Sequence, residues 1–257
     1  MGRPHGYVLQ NADRRLIFVN PYFDDMALVG TTDIPFDGRA EDVAIDAAET
    51  DYLLAVLNRY FRTDLKPADV VAAYSGVRPL FDDDAAKGAS AVTRDYVFDV
   101  DAGPGRAPIV SAFGGKITTY RKLAEHGLEK LEPFLPMRGP WTETAPLPGG
   151  DIQGADFDRW LAGFMADRPW LPAPLARHLG RAYGSEAPRV IEGATALADL
   201  GRHFGGLLYE REARWLIAEE WAMTAEDILT RRTKHGLFLT PEQRRAFETW
   251  LEMRAAA

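Results

Sequence analysis

The chain has 257 residues, 46% hydrophobic and 26% charged, so it can form one large domain or two smaller ones with real cores. Its net charge of -8 argues against non-specific nucleic-acid binding, and the lack of cysteine excludes disulfides, thiolate metal sites and cysteine nucleophiles. The five histidines are scattered without metal-ligand spacing, so no metal site is predicted. No apolar run approaches the ~18 residues of a membrane span and no signal peptide opens the chain, which predicts a cytoplasmic protein and leaves peripheral membrane contact open.

The N-terminal third has the pattern of a small antiparallel sheet. Three short strand-like runs separated by turn residues predict a meander, at Tyr7–Gln10, 16–20 and Met26–Gly30. Asp46 is placed to cap a helix, with Glu49 three residues later as its capping-box partner. Apolar residues at three-four spacing continue this helix to about Arg62, and we expect it to pack on the sheet.

Two further strands are predicted at 70–78 and 91–100, with a polar loop between them. In the second strand Arg94 shares its parity with Val92, Tyr96 and Phe98, and therefore faces the same side as these apolar residues. A guanidinium on an apolar face is costly unless it is paired. Arg94 is therefore either half of a buried ion pair or a ligand contact.

The most informative stretch runs from an apolar strand through two glycines into a helix. Residues 109–113 predict a buried strand, Gly114 and Gly115 end it, and three-four spacing from Ile117 predicts a helix. Glycines permit close approach of a ligand, while unpaired helix amides and Lys116 favour an anion or a ring that becomes anionic. Lys116 is followed by Ile117, so this is not a P-loop. An ordinary strand-to-helix turn with an exposed lysine is the alternative.

Repeated prolines and Gly149-Gly150 make residues 134–150 an expected linker, and only helices are predicted after it. Three-four spacing predicts helices at 157–165, 174–183 and 188–200. Two capped helices follow, one from Thr224 with Asp227 that ends near Gly236, and one from Thr240 with Gln243. Five tryptophans are expected in the core or in an interface: Trp160, Trp170, Trp215, Trp221, Trp250. The charged residues at 231–234 are expected on a solvated face. No catalytic constellation is evident in this half.

Several motifs in this order resemble the FAD-dependent (aerobic, respiratory) glycerol-3-phosphate dehydrogenases. They are Tyr7-Val-Leu-Gln-Asn11, Gly30-Thr-Thr-Asp33, Tyr74-Ser-Gly-Val-Arg-Pro79, Thr93-Arg-Asp-Tyr96, Phe113-Gly-Gly-Lys-Ile-Thr-Thr-Tyr-Arg121, Leu147-Pro-Gly-Gly150 and Arg231-Arg-Thr-Lys234. Such enzymes begin with a Gly-x-Gly-x-x-Gly fingerprint for the ADP part of FAD, which this sequence lacks in a strand-turn-helix context. The chain therefore resembles the C-terminal half of the family.

The resemblance implies an α+β fold in three parts. Residues 1–133 would form an antiparallel substrate-cap sheet with a packed helix, together with the end of an FAD-binding domain. Residues 134–150 would be the linker, and residues 151–257 an all-α C-terminal domain. The strand at 109–113 would belong to the parallel sheet of the FAD-binding domain, and its neighbours would be absent from this chain.

The resemblance also implies the chemistry: sn-glycerol 3-phosphate is oxidised to dihydroxyacetone phosphate, hydride passes to the flavin, and quinone accepts the electrons at the inner face of the cytoplasmic membrane. Arg78 would lie nearest the substrate hydroxyl and stabilise an alkoxide, because arginine does not readily act as a base. Arg94, Lys116 and Thr31 would bind the phosphate substrate. The FAD-facing residues would be Gly114, Gly115, Lys116, Ile117 and Thr118.

A homodimer is compatible with this resemblance. Two alternatives also stay open, a relative acting on another hydroxy acid or amine, and a non-catalytic binding module. Alone, the chain is expected to be inactive and not to retain FAD.

Overall fold

The computed structural model describes residues 5–23, 25–78 and 95–255. The chain divides into two compact units, Met1–Pro140 and Trp141–Ala257, and the division lies within the proline-rich stretch. Residues 134–150 contain turns and no helix or strand. No helix in the described ranges is both long and apolar enough to cross a membrane.

The first unit opens with the predicted meander. Strands β1 (Tyr7–Gln10), β2 (Leu16–Tyr22) and β3 (Met26–Gly30) pair antiparallel in that order. Helix α1 (Ala47–Tyr60) begins with the predicted capping box, in which the Asp46 carboxylate accepts from the Glu49 amide at 2.7 Å. Its apolar face covers the sheet and completes a small core, as expected, with five buried residues: Leu9, Ile17, Val19, Val56, Leu57.

The predicted strand at 70–78 is wrong. These residues follow a 3₁₀ turn at Pro67–Asp69 and make no ladder with any described strand. An apolar, β-prone run becomes a strand only when a neighbour supplies its hydrogen bonds. Side chains in this run are exposed, Tyr74 at 79%. Of the predicted strand at 91–100, residues 91–94 lie outside the described ranges.

The first unit ends with a hairpin and a helix. Strand β4 (Tyr96–Asp101) pairs antiparallel with β5 (Ile109–Gly114) along its whole length, so the prediction that β5 would lack neighbours in this chain is wrong. The predicted burial of this strand is also wrong, since Ile109 is 56% exposed and Phe113 is 42% exposed. Helix α2 (Tyr120–Leu131) follows a 3₁₀ turn at Ile117–Thr119 and contacts both strands.

The second unit holds the larger core. Helices α3 (Phe157–Ala166) and α4 (Ala173–Tyr183) confirm two predictions, and α5 (Ala187–Val190), α6 (Glu210–Glu219) and α7 (Pro241–Ala255) complete the α-helices of the described part. The predicted cap of α7 is confirmed, because the Thr240 hydroxyl accepts from the Gln243 amide. Phe247 is fully buried in contact with Phe204 and Trp250.

Several details of the second unit differ from the prediction. It is not all-helical, because β6 (His203–Gly205) and β7 (Leu208–Tyr209) form a short hairpin around two glycines. The predicted helix at 188–200 is wrong, since α5 ends at Val190 and a separate 3₁₀ turn occupies Leu197–Leu200. Trp221 is 85% exposed, whereas the other four tryptophans named above are partly buried.

The helix capped by Thr224 and Asp227 forms as a π-helix, Asp227–Arg232. It ends before Lys234, which has a left-handed backbone at φ 65°, so the predicted end at Gly236 is wrong. The basic segment at 231–234 lies on this end. Arg231 pairs with Asp227 at 2.9 Å, and the Lys234 side chain bonds the Thr230 carbonyl.

Candidate functional site

The turn between β5 and α2 is built so that only glycine fits at its centre. Gly114 and Gly115 have φ angles of 70° and 95°, in the left-handed region that L-residues avoid. A Cβ on Gly115 would stand 3.0 Å from Leu123 Cδ1 and 3.3 Å from Tyr96 Cβ. Leu123 and Tyr96 occupy the Cβ side of Gly115, while the residue is exposed, so another group can approach its backbone from solvent.

Polar donors follow the two glycines. The Lys116 side chain is exposed and makes no hydrogen bond or ion pair with any described residue. Ile117 is 89% exposed, and no described group accepts a hydrogen bond from the amide of Ile117 or Thr118. The helix itself begins at Tyr120, three residues later than predicted, because the Thr119 amide bonds the Lys116 carbonyl at 3.0 Å in a 3₁₀ turn. A cation and free amides at one turn can bind an anion.

Polar contacts lie within α2 and between α2 and β4. Glu125 is 7% exposed and pairs with Lys122 at 2.7 Å and with Arg121 at 3.3 Å. The Tyr96 hydroxyl lies 2.5 Å from His126 Nδ1, which ties β4 to the helix. Sequence reasoning did not assign these residues, although the Arg121–Glu125 spacing of four is a recognisable helix-pair signal.

Arg78 lies next to the loop after β3. Its Nη1 donates to Asp33 Oδ2 at 2.8 Å, although the two residues are 45 apart in sequence. Both side chains are about half exposed, so the pair orients the guanidinium without burying it. The fold thus brings Arg78 to the Gly30-Thr-Thr-Asp33 motif that contains Thr31.

The Thr31 hydroxyl donates to the Thr32 carbonyl at 2.8 Å, and Thr32 donates to Glu49 at 2.5 Å, which fixes this loop on α1. Arg94, the fourth predicted substrate contact, lies outside the described ranges.

The second unit holds a buried polar cluster that the sequence did not reveal. His178 Nε2 lies 2.6 Å from Glu212 Oε1, and His235 Nε2 lies 3.1 Å from Glu212 Oε2. The Tyr183 hydroxyl also donates to Glu212 Oε1, at 2.8 Å. The scattered positions of the histidines gave no sign of this cluster, because the fold brings together His178 and His235, which no local spacing connects.

Electrostatics within this cluster are strongly perturbed. Burial by itself would raise the pKa of Glu212, but hydrogen bonds from His178 and His235 overcome it and hold that pKa well below its usual range. Burial first, and then the Glu212 charge, raise the pKa of Tyr183 far above its ordinary value. The carboxylate is thus ionised and the phenol neutral at physiological pH.

The Leu147-Pro-Gly-Gly150 motif lines an open groove in the same unit, with a volume of about 820 Å³. Gly149 packs against the end of α4, where its carbonyl accepts from the Ser185 amide at 2.9 Å. Trp215 lies in the groove wall, with its buried Nε1 unpartnered by any described residue and the Arg189 guanidinium 5.0 Å from its ring. The motif therefore forms part of the groove wall and contacts the end of α4.

Each of the two units matches a known protein family model. A family model described as FAD dependent oxidoreductase matches residues 2–121, and one described as the C-terminal domain of alpha-glycerophosphate oxidase matches residues 140–256. Over 249 residues the chain is 53% identical to D-erythritol 1-phosphate dehydrogenase of Brucella abortus, covering 96% of this chain and 49% of that protein.

Two glycerol-3-phosphate dehydrogenases are also similar. Identity is 48% over 242 residues with the Pseudomonas aeruginosa protein, covering 93% of this chain and 46% of the relative. It is 45% over 246 residues with the aerobic enzyme of Escherichia coli K12, covering 95% and 49%. The chain spans about half the length of these relatives. These matches show that the chain belongs to the FAD-dependent oxidoreductases related to glycerol-3-phosphate dehydrogenase.

Proposed function

We propose that this chain provides the substrate-binding part and the flavin-facing turn of an FAD-dependent dehydrogenase that oxidises sn-glycerol 3-phosphate to dihydroxyacetone phosphate. One observation carries the proposal. The turn from Gly114 to Thr118 combines a bare backbone, two amides with no acceptor among the described residues and an unpaired lysine side chain. This arrangement can hold a large planar group that gains negative charge.

The residues at this turn fit FAD. Gly115 is exposed and carries no side chain, which allows a flat ring to lie against its backbone on the solvent side. The amides of Ile117 and Thr118 would donate to the ring carbonyl and stabilise negative charge there. When bound, FAD supplies the acceptor for the hydride that leaves C2 of the substrate.

Arg78 has the chemistry of an alkoxide stabiliser. Its pair with Asp33 engages one guanidinium nitrogen, which leaves other N–H donors for the substrate oxygen. Arginine remains protonated, so Arg78 would stabilise developing negative charge and would not remove the proton. Preorganised donors of this kind are typically the largest contribution to such catalysis.

The substrate phosphate needs cationic and hydroxyl donors. Lys116, Arg94 and Thr31 would supply them, with arginine recognising phosphate through its fork and lysine as a point charge. The unpaired state of the Lys116 side chain among the described residues supports this role. We further propose that quinone reoxidises the flavin at the inner surface of the cytoplasmic membrane.

D-Erythritol 1-phosphate is the second candidate substrate, because a relative named for it is 53% identical to this chain. Both substrates are phosphorylated polyols, so the phosphate contacts serve either one. The selectivity for carbon-chain length separates the two proposals.

The test uses the flavoprotein that contains this chain, with a dye as electron acceptor. We expect kcat/KM to be at least a hundredfold higher for glycerol 3-phosphate than for glycerol, because the phosphate contacts are lost with the latter. D-Erythritol 1-phosphate is measured beside erythritol as a matched pair. A higher kcat/KM for D-erythritol 1-phosphate would select the second candidate, and equal rates with and without phosphate would refute both.

A further inference from the structure

The buried cluster of the second unit joins three separate segments through one carboxylate. His178 comes from α4, Glu212 from α6, and His235 from the 3₁₀ turn His235–Leu237. Glu212 is 2% exposed and His235 is 4% exposed, while the His178 side chain is 13% exposed and lies nearest to solvent. Nothing in the proposed dehydrogenase chemistry requires this cluster.

We propose that His178, Glu212 and His235 form a binding site for one divalent transition-metal ion such as Zn²⁺. One ligand atom from each residue lies within 4.8 Å of the others. Two imidazoles and a carboxylate are a frequent ligand set of zinc. Ligand atoms of a tetrahedral zinc site stand about 3.3 Å apart, since each bond is about 2.0–2.1 Å. His178 Nε2 lies 2.6 Å from Glu212 Oε1 and His235 Nε2 lies 3.1 Å from Glu212 Oε2, so the side chains would have to separate slightly to admit an ion.

The surroundings favour a cation. An ionised carboxylate inside an apolar core is costly unless its charge is balanced. The two imidazoles and the Tyr183 phenol form hydrogen bonds with the Glu212 carboxylate. A divalent ion would balance the carboxylate charge, with each neutral imidazole presenting its Nε2 lone pair and carrying its proton on Nδ1.

The cluster also contains an outer partner. The Tyr183 hydroxyl donates to Glu212 Oε1 and would orient the ligating carboxylate, as second partners do in metal sites. A cavity of about 10 Å³ borders Glu212 and is lined mainly by apolar side chains, Leu175 and Leu179 among them. Imidazole nitrogens favour Zn²⁺, Co²⁺ or Ni²⁺ over Mg²⁺, which prefers oxygen ligands.

Such a site would stabilise the second unit by cross-linking separate segments of the chain. His178 and Glu212 are 34 residues apart, and Glu212 and His235 are 23 apart, so one ion would cross-link α4, α6 and the turn. Binding to the folded state alone shifts the unfolding equilibrium towards the fold. We therefore expect the metal to raise the melting temperature of the second unit.

The experiment uses the tag-free 257-residue chain after treatment with a chelator. Co²⁺ is titrated and followed by its visible absorption, which reports four-coordinate nitrogen and oxygen ligation. Zn²⁺ and Mg²⁺ are then compared by calorimetry and thermal unfolding. We expect one Co²⁺ or Zn²⁺ per chain, a rise in melting temperature with Zn²⁺, and no such rise with Mg²⁺.

Variants locate the site. His178→Gln and His235→Gln should each weaken Zn²⁺ binding at least tenfold, and both keep a side chain that can donate to Glu212. His203→Gln is the matched control, since His203 is in the same unit but exposed, with Nε2 on the Gly206 carbonyl. Absence of stoichiometric binding in the unaltered chain would overturn the proposal, and so would equal loss in all three variants or retention in all three.

Discussion

Replacing Gly115 with alanine tests whether the turn before α2 requires glycine for its contacts as well as for its backbone angle. Gly105, in the loop between β4 and β5, offers a matched control. It has φ 74°, close to the 95° of Gly115, but a Cβ there would meet nothing within 4 Å. Both substitutions impose left-handed strain, whereas only Gly115→Ala also crowds Leu123 and Tyr96.

The magnitudes follow from these two effects. Left-handed strain costs an L-residue about 1–2 kcal/mol, and this applies to both variants. Leu123 Cδ1, at 3.0 Å, belongs to a flexible side chain and can move, but Tyr96 Cβ, at 3.3 Å, is fixed by the β4–β5 ladder. Modest overpacking of this kind adds about 1–2 kcal/mol, at the low end of its usual range. Gly115→Ala should thus destabilise the turn by about 2–4 kcal/mol and Gly105→Ala by about 1–2 kcal/mol.

Amide hydrogen exchange read on peptides from β4, β5 and α2 measures the local opening free energy. Since 1.4 kcal/mol is a tenfold change in an equilibrium, exchange should be about 5- to 30-fold faster in Gly115→Ala than in Gly105→Ala. Peptides from α7 in the second unit serve as the internal reference and should be unchanged. Equal exchange in the two variants would refute the contact argument and leave backbone strain alone.

Four further predictions concern the site and the second unit. In the flavoprotein, Arg78→Ala should lower kcat by roughly two orders of magnitude or more, and Arg78→Lys should not restore it because the fork is lost; full activity of the lysine variant contradicts this. Arg94→Ala should weaken phosphate binding by about 1.5–3 kcal/mol, read as a raised KM, and an unchanged KM would leave only an ion-pair role. Hydrogen bonds from the backbone amides of Met223 and Thr224 lower the pKa of Asp227 below its ordinary 3.8, so its stabilising effect is present above pH 3.8 and is lost as the pH falls further. The urea midpoint of Asp227→Asn should therefore fall less between pH 5 and pH 2 than that of the unaltered chain. An equal fall of the midpoint in both proteins would contradict this. This chain alone should purify folded but colourless, because a helix-end contact of ~0.3–1 kcal/mol is far below the roughly 8 kcal/mol of a micromolar complex; a yellow protein, or dye reduction with glycerol 3-phosphate, would refute it.

Features that depend on neighbouring residues were predictable from the sequence. The capping boxes at Asp46 and Thr240 form as expected, because each joins groups three residues apart and needs no distant partner. The meander of β1 to β3 also follows from alternation and short turns. The two glycines before Lys116 were predicted to end the strand, and β5 ends at Gly114.

Only the tertiary structure decided which distant groups meet and which apolar residues become buried. The run at 70–78 has the composition of a strand but pairs with no described strand, and β5 is apolar yet exposed. His178, Glu212 and His235 have no spacing that suggests a cluster, and they meet because α4, α6 and a 3₁₀ turn pack around one core. Local hydrogen bonds are encoded within a few residues of sequence, whereas burial and long-range pairing depend on how separate segments pack together.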